Sequence, residues 1–299
     1  MPPELLSYRP LVERYLKKIS SSLAVFAYTN IFVWQDFFKF ECVEIDDHLC
    51  VFASDDVGTF LYLPPLAKNV SPKVIGDCFA RMKKANKGRG VTRIENVMEE
   101  QLKSYPLEEY QIHKKGYDYL YYRQDLVDFK GDAFKTKRNA VNHFVKHHEC
   151  KYLPFAELMA VECMDLYNRW AKEKSVGVQD EMHLAMIEDN RLVHRRIFKN
   201  FRELGLVGRV IKVGDKIVAY TFGYFLNKET FCDLLEIADP QYKGAATYIF
   251  WLLCNDQVLK DMKFINVMDD MVPESVNRTK MSFRPAVMLP SYTVSPKLS

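Results

Sequence analysis

Five residues of one short segment, Gln241, Lys243, Gly244, Ala245 and Ala246, have the types and spacing to seat an anion. They stand in "EIADPQYKGAATYIF" (236–250), where an apolar run stops at Asp239-Pro240 and an aromatic-rich helical pattern follows. A helix entrance leaves main-chain N–H groups without intrahelical partners, and the helix end adds roughly half a positive charge. Small side chains let a phosphate approach those amides. The same glycine and alanines also permit close packing of helix on sheet, and the loop alone does not choose between these readings.

Acyl transfer needs a proton acceptor, a donor for the developing oxyanion and a held leaving group. Glu236 ends the strand-like run "TFCDLLEIA", where a general base would sit. Strict alternation places it on the face of Leu234, so a solvated strand residue is the plain alternative. In GNAT-type acyltransferases, which this strand-to-helix passage resembles, a main-chain N–H of the strand serves the oxyanion, which would place it near Leu235 to Ile237. Asp269 and Asp270 end "INVMDD", and paired carboxylates suit an ammonium group; a turn pair ahead of Pro273 is the equal alternative. Asn277 and Lys280 in "ESVNRTKMSF" follow, either reaching the same place or lying exposed on a helix.

In "KTKRNAVNHF", Lys135, Arg138 and Asn142 share one helical face, Asn139 lies one position round, and Lys137 adds a further cation. Arginine forks onto phosphate and asparagine fixes an amide or ribose hydroxyl, whereas a solvated basic helix is the ordinary explanation. The basic runs "RMKKANKGRGVTR" (81–93) and "HRRIFKNFR" (194–202) have the charge for tRNA phosphates and also read as solvated faces. His143, His147 and His148 share a helix without a third ligand at a recognisable spacing, so no metal is expected. No G-x-S-x-G elbow stands in the chain, which points to direct transfer rather than an acyl-enzyme.

The elements that must carry these groups form two similar successions. In the first, strands "FECVEI", "HLCVFA" and "TFLYLP" precede a helix opened by Ser71-Pro72, then "VTRIENV" and "YQIHKKGYDYLYY". In the second, two amphipathic helices precede a three-strand meander with turns at Gly214-Asp215 and Asn227-Lys228. The anion-seat loop, a helix, the strand "KFINVM", a short helix and a last strand complete it. The boundary is expected near residue 125, giving domains 1–125 and 126–299.

At 299 residues, with 48% hydrophobic and 27% charged residues, the chain has the composition of a soluble two-domain protein. A net charge of +3, from 42 basic and 39 acidic residues, neither demands nor excludes nucleic acid. Seven cysteines without a CxxC pair read as thiols in a reducing compartment, and no secretory leader or membrane-length apolar run is seen. A cytoplasmic location is expected.

Gln241, Gly244 and Ala246 fit Q-x-x-G-x-A, the pattern with which GNAT-superfamily acyltransferases seat the pyrophosphate of an acyl-CoA. More widely, the chain resembles the C-terminal catalytic domain of bacterial phosphatidylglycerol lysyltransferases and their soluble stand-alone relatives. The likeness runs through "SSLAVFAYTNIFVWQDFFKFE", "YDYLYYRQDLVDFKGDAFKTKRNAVNHF", "LGLVGRVIKVGDKIVAYTFG" and "DDMVPESVNRTKMSFRP", and is most specific from Gly131 to Phe144. It implies an α+β fold of two fused GNAT-like domains, each a mainly antiparallel sheet flanked by helices. It also implies an acyl or aminoacyl transferase related to the Fem-type ligases. Lys280 matches a lysine of the family pattern, and relatives carry acids at Asp269 and Asp270. The expected catalytic set is therefore Glu236, Asp269, Asp270 and Lys280, with the donor at Gln241–Ala246. Substrate would be held by Lys135, Lys137, Arg138, Asn139, Asn142 and Asn277. No tightly bound cofactor is implied; acyl-CoA or aminoacyl-tRNA would be the donor, and a small molecule or lipid headgroup the acceptor.

Overall fold

A computed structural model describes residues 5–269 and 274–297. The chain divides into two compact units, Met1–Asp118 with Met288–Ser299, and Tyr119–Val287.

In the first unit, α1 (Arg9–Leu16) and α2 (Tyr28–Val33) precede the hairpin of β1 (Lys39–Ile45) and β2 (His48–Ser54). Asp46 and Asp47 close that hairpin at φ of 44° and 60°, the two consecutive left-handed residues that a tight two-residue turn demands. Then come β3 (Thr59–Leu61), α3 (Pro72–Asn86) and β4 (Ile94–Met98), with β3 and β4 parallel. Pro72 opens α3, where its missing N–H costs nothing, and Val74, Ile75, Cys78, Phe79 and Met82 turn inward. The long strand β5 (Tyr110–Tyr122) carries the chain out of this unit.

The second unit begins with α4 (Arg123–Asp128), α5 (Lys135–His147), β6 (Cys150–Pro154), α6 (Ala160–Ser175), α7 (Glu181–Lys199) and the short α8 (Phe201–Leu204). The meander follows as β7 (Val207–Val213), β8 (Lys216–Phe225) and β9 (Thr230–Ala238), then α9 (Ala245–Asn255), β10 (Phe264–Asn266) and α10 (Glu274–Ser282). Its sheet runs β5-β10-β9-β8-β7-β6, antiparallel throughout except for β10 beside β9. The last strand, β11 (Val287–Pro296), returns to the first unit beside β4, which a cut into consecutive halves near residue 125 does not represent.

Alternation along the meander sends side chains to two different cores. Tyr220 and Phe222 meet Phe155, His194 and Phe198 on the face covered by α6 and α7. Ala219 joins Phe144 of α5 and Ile249 of α9 on the opposite face. His194 shares a hydrogen bond of 3.0 Å with the Tyr220 hydroxyl, and burial holds its imidazole down to about 3. His194, Ile197 and Phe198 are all buried, so "HRRIFKNFR" is not a continuous basic surface. Within the two basic runs Arg81 pairs with Glu41, Arg93 with Glu95 and Arg202 with Glu157. Among the described residues no helix is long and apolar enough to cross a membrane.

Candidate acyl-transfer site

The site lies in the second unit and starts from an irregularity in β9. Phe222 pairs with Leu235 and Gly223 with Asp233, so the register slips by one and Leu234 has no partner across the ladder. Such a bulge puts residues three apart on one face, where strict alternation would separate them. Thr221, directly opposite Glu236, donates its hydroxyl to Asp233 Oδ1 at 2.8 Å, which fixes all three side chains on the α9 side. A Cβ at Gly223 would collide with the Cys232 carbonyl and the Phe231 ring, so glycine on β8 is what admits the bulge. The expectation that Glu236 shares a face with Leu234 is corrected for this reason.

Two lysines from different helices face this acid pair. Lys137 of α5 donates to Ser282 Oγ at 2.6 Å and lies 3.5 Å from the centroid of the Phe283 ring. Ser282 in turn donates to the Thr279 carbonyl at 2.6 Å. Lys280 of α10 donates to the main-chain carbonyl of Asp269 and lies over the Tyr119 ring. The Tyr121 hydroxyl donates to the Lys280 carbonyl at 2.9 Å, tying α10 to β5.

Burial dominates the electrostatics here. Loss of water pushes the Asp233 carboxyl up to about 7, against the Thr221 hydrogen bond and the Lys280 charge, which both favour the anion. Burial likewise holds Glu236 well above the usual carboxylate range; Asp233 adds to the shift and Lys137 opposes it. Lys137 is held down to about 8, again by burial first, with Glu236 pulling the other way. Burial thus favours the neutral form of each group, the kind of shift that marks candidate acid–base residues. Glu236 and Lys137 are half-buried, so part of each side chain reaches the surface.

The other expected residues take different places. Arg138 donates from Nη1 to the carbonyls of Phe129 and Gly131, the latter at 2.6 Å, and so clasps the α4–α5 connection. Arg138→Ala should cost about 1–3 kcal/mol by stranding those carbonyls, and Arg138→Lys should not restore both. Urea unfolding of the two variants checks this. Lys135, Asn139 and Asn142 are exposed on the outer side of α5. Asn277 is half-buried on α10, one turn before Lys280, and Asp269 is half-buried, contributing its main chain. Asp270 lies outside the described residues.

The expected anion seat packs in part against α5. Gly244 has a φ of 93°, and a Cβ there would strike the Ala140 carbonyl and come within 3.3 Å of Phe144 Cβ, both on α5. The Gln241 amide is taken by Asp239 Oδ1 at 3.1 Å and the Ala245 amide by the Tyr242 carbonyl at 2.9 Å. Ala245 is buried against Phe144, while Gln241, Lys243 and Ala246 are exposed. For Gly244 and Ala245 these contacts favour the close-packing reading.

Sequence reasoning passed over Asp233, Thr221, Ser282 and Phe283. A signal for Asp233 was present, an acid inside the apolar run "FCDLL". Lys137 also stands in phase with Val141 and Phe144, the buried stripe of α5. Among the described residues no three His, Cys, Asp or Glu side chains are grouped to hold a metal ion.

Comparison with known proteins agrees with this architecture. A solved structure of a conserved protein of unknown function from Bacteroides thetaiotaomicron VPI-5482 is 25% identical, with a TM-score of 0.86 over 98% of this chain and 97% of that one. The structure of L-PGS from Bacillus licheniformis is 16% identical, with a TM-score of 0.66 over 97% of this chain and 92% of that one. An uncharacterised protein of Mycoplasmoides gallisepticum is 24% identical over 186 residues, 61% of this chain and 57% of its own length. The chain thus aligns with little more than half of that curated relative. The family described as phosphatidylglycerol lysyltransferase, C-terminal, matches residues 18–295. A tandem GNAT-like α+β fold, a bulged strand bearing paired acids and a match along nearly the whole chain converge: the protein belongs to the phosphatidylglycerol lysyltransferase C-terminal family, a family of acyl-group transferases.

Proposed function

We propose that the protein transfers an aminoacyl group from aminoacyl-tRNA directly to an amine or hydroxyl acceptor, at the chamber of Asp233, Glu236, Lys137 and Lys280. The observation that carries this reading is the buried acid pair on the bulged β9. An aminoacyl donor brings an ammonium group, whose charge would favour ionisation of the two carboxyls and so be complemented by them. An acyl-CoA brings no such cation, and its diphosphate would meet a turn packed in part against α5. This contrast favours the aminoacyl donor.

In the reaction the acceptor's nitrogen or oxygen attacks the acyl carbon and the ester C–O bond to the tRNA ribose breaks. The acceptor's proton ends on the departing ribose oxygen, so no external reagent is needed. Leu234, without a register partner, is the natural main-chain donor to the oxyanion, one residue before the stretch expected from sequence. Lys280 is placed to steady the same charge. A small polar molecule or a lipid headgroup would be the acceptor.

Thermal melts with added ligands test the donor class. A tRNA pool charged with mixed amino acids should stabilise the wild type more than the same pool uncharged, since a ligand at 100 times its Kd adds about 2.7 kcal/mol. Acetyl-CoA should add nothing. Stabilisation by acetyl-CoA with no effect of charging would sink the aminoacyl reading.

A further inference from the structure

The proposed reaction needs a group to carry the acceptor's proton, and the two carboxyls are engaged by the donor's ammonium group. We infer that Lys137 is the proton carrier of this site, taking the acceptor's proton during attack and returning it to the departing ribose oxygen. This inference rests on the transfer reaction proposed above.

The surroundings of the amine argue for it. Glu236 faces Lys137 from β9 without a hydrogen bond between them, and among the described residues Lys137 forms no ion pair. Its one protein hydrogen bond goes to Ser282 Oγ, whose own proton is committed to Thr279, so that oxygen only accepts. The neutral amine can keep this bond with one N–H while its lone pair faces elsewhere. Contact with the Phe283 ring removes water from one side of the nitrogen. The titratable group that acts on it is Glu236 of β9; Glu236 in turn feels Asp233, Asp233 faces Lys280 of α10, and the Cys254 thiol of α9 lies near both acids. Glu236 and the face of the Phe283 ring favour the ammonium form, whereas burial opposes it and also holds the Glu236 carboxyl towards neutrality. Lys280 differs, since its amine is tied to the Asp269 carbonyl and lies over Tyr119. Burial alone would leave a lysine half-deprotonated near neutral pH, the range in which a base works best.

Two experiments on the full chain decide the matter. The first is competitive labelling with acetic anhydride between pH 6 and 11, with each lysine read by mass spectrometry after digestion. Lys137 should reach half-maximal labelling about two pH units below the ordinary lysines, which titrate near ~10.4. A midpoint shared with the exposed lysines overturns the inference, as does a failure of Lys137 to label at any pH.

The second uses Lys137→Arg, which keeps the positive charge but cannot release a proton. A proton carrier predicts a loss of about 100-fold or more in transfer from charged tRNA, with the wild-type rate rising tenfold per pH unit below the midpoint. Retained turnover in Lys137→Arg would show that only the charge matters and would overturn the assignment. If the wild type transfers nothing from charged tRNA, the reaction class fails. Labelling, which needs no substrate, still decides whether this amine can accept a proton near neutrality.

Discussion

Asp233→Asn is expected to make the protein more stable at pH 8 while abolishing transfer. The Asp233 carboxyl is about nine-tenths buried, and burial raises it from 3.8 to about 7. The folded state therefore holds this proton to a higher pH than the unfolded chain does. The stability it contributes is complete below about pH 4 and is lost as pH climbs through about 7. A shift of this size corresponds to an effect on the order of 4 kcal/mol at pH 8, an upper figure because a site that partly reaches the surface admits some water. Asparagine has no such ionisation and can still accept from Thr221, so the variant escapes the loss. Urea unfolding at pH 5 and pH 8 should show the gap between variant and wild type widening with pH. A constant gap, or a less stable variant at pH 8, would contradict the assigned protonation.

Gly244→Ala should have the opposite sign and a comparable size. Two separate costs coincide there: a φ of 93° that side chains rarely adopt, and a collision with the main chain of α5. A carbonyl in the middle of a helix cannot swing aside as a side-chain end can. The helix must move, and it carries Phe144, fully buried in the core, together with Lys137. A loss of about 3 kcal/mol or more is expected, with transfer falling because Lys137 shifts from Ser282. Lys243→Ala, at an exposed position of the same turn, should be within about 0.5 kcal/mol of wild type. Should Gly244→Ala prove as stable as wild type yet lose ligand binding, the turn would be an anion seat after all.

These two positions also show which parts of the molecule could be read from sequence. The meander and its Gly214-Asp215 turn are local matters, so hairpin chemistry and alternation predict them well. The helix after Gly244 is equally local, and it forms where the aromatic-rich pattern begins. The reason for Gly244 is not local: it answers to Ala140 and Phe144, about a hundred residues earlier. A motif therefore shows that the backbone must be bare at that point without showing what comes close to it.

The site follows the same logic. Glu236 is conspicuous in sequence, but that Asp233 shares its face becomes visible only once β9 slips against Gly223 of another strand. Periodicity within one strand cannot register an event decided by its neighbour. Arg138 misled for a related reason. Its sequence context is a basic helix, whereas its partners are two main-chain carbonyls in the preceding connection, which carry no side-chain signature. Lys137 was distinguishable, because it repeats with the buried residues of α5 and the neighbouring cations do not.

The most direct test of where the chemistry occurs is a crystal structure of the protein with a non-hydrolysable aminoacyl-adenosine amide. The donor's ammonium group should lie between Asp233 and Glu236, with its carbonyl carbon close to Lys137 and the main chain of Leu234. Density for the adenosine and aminoacyl group at the Gln241–Ala246 turn, or in the unit formed by Met1–Asp118, with this chamber empty, would contradict the account.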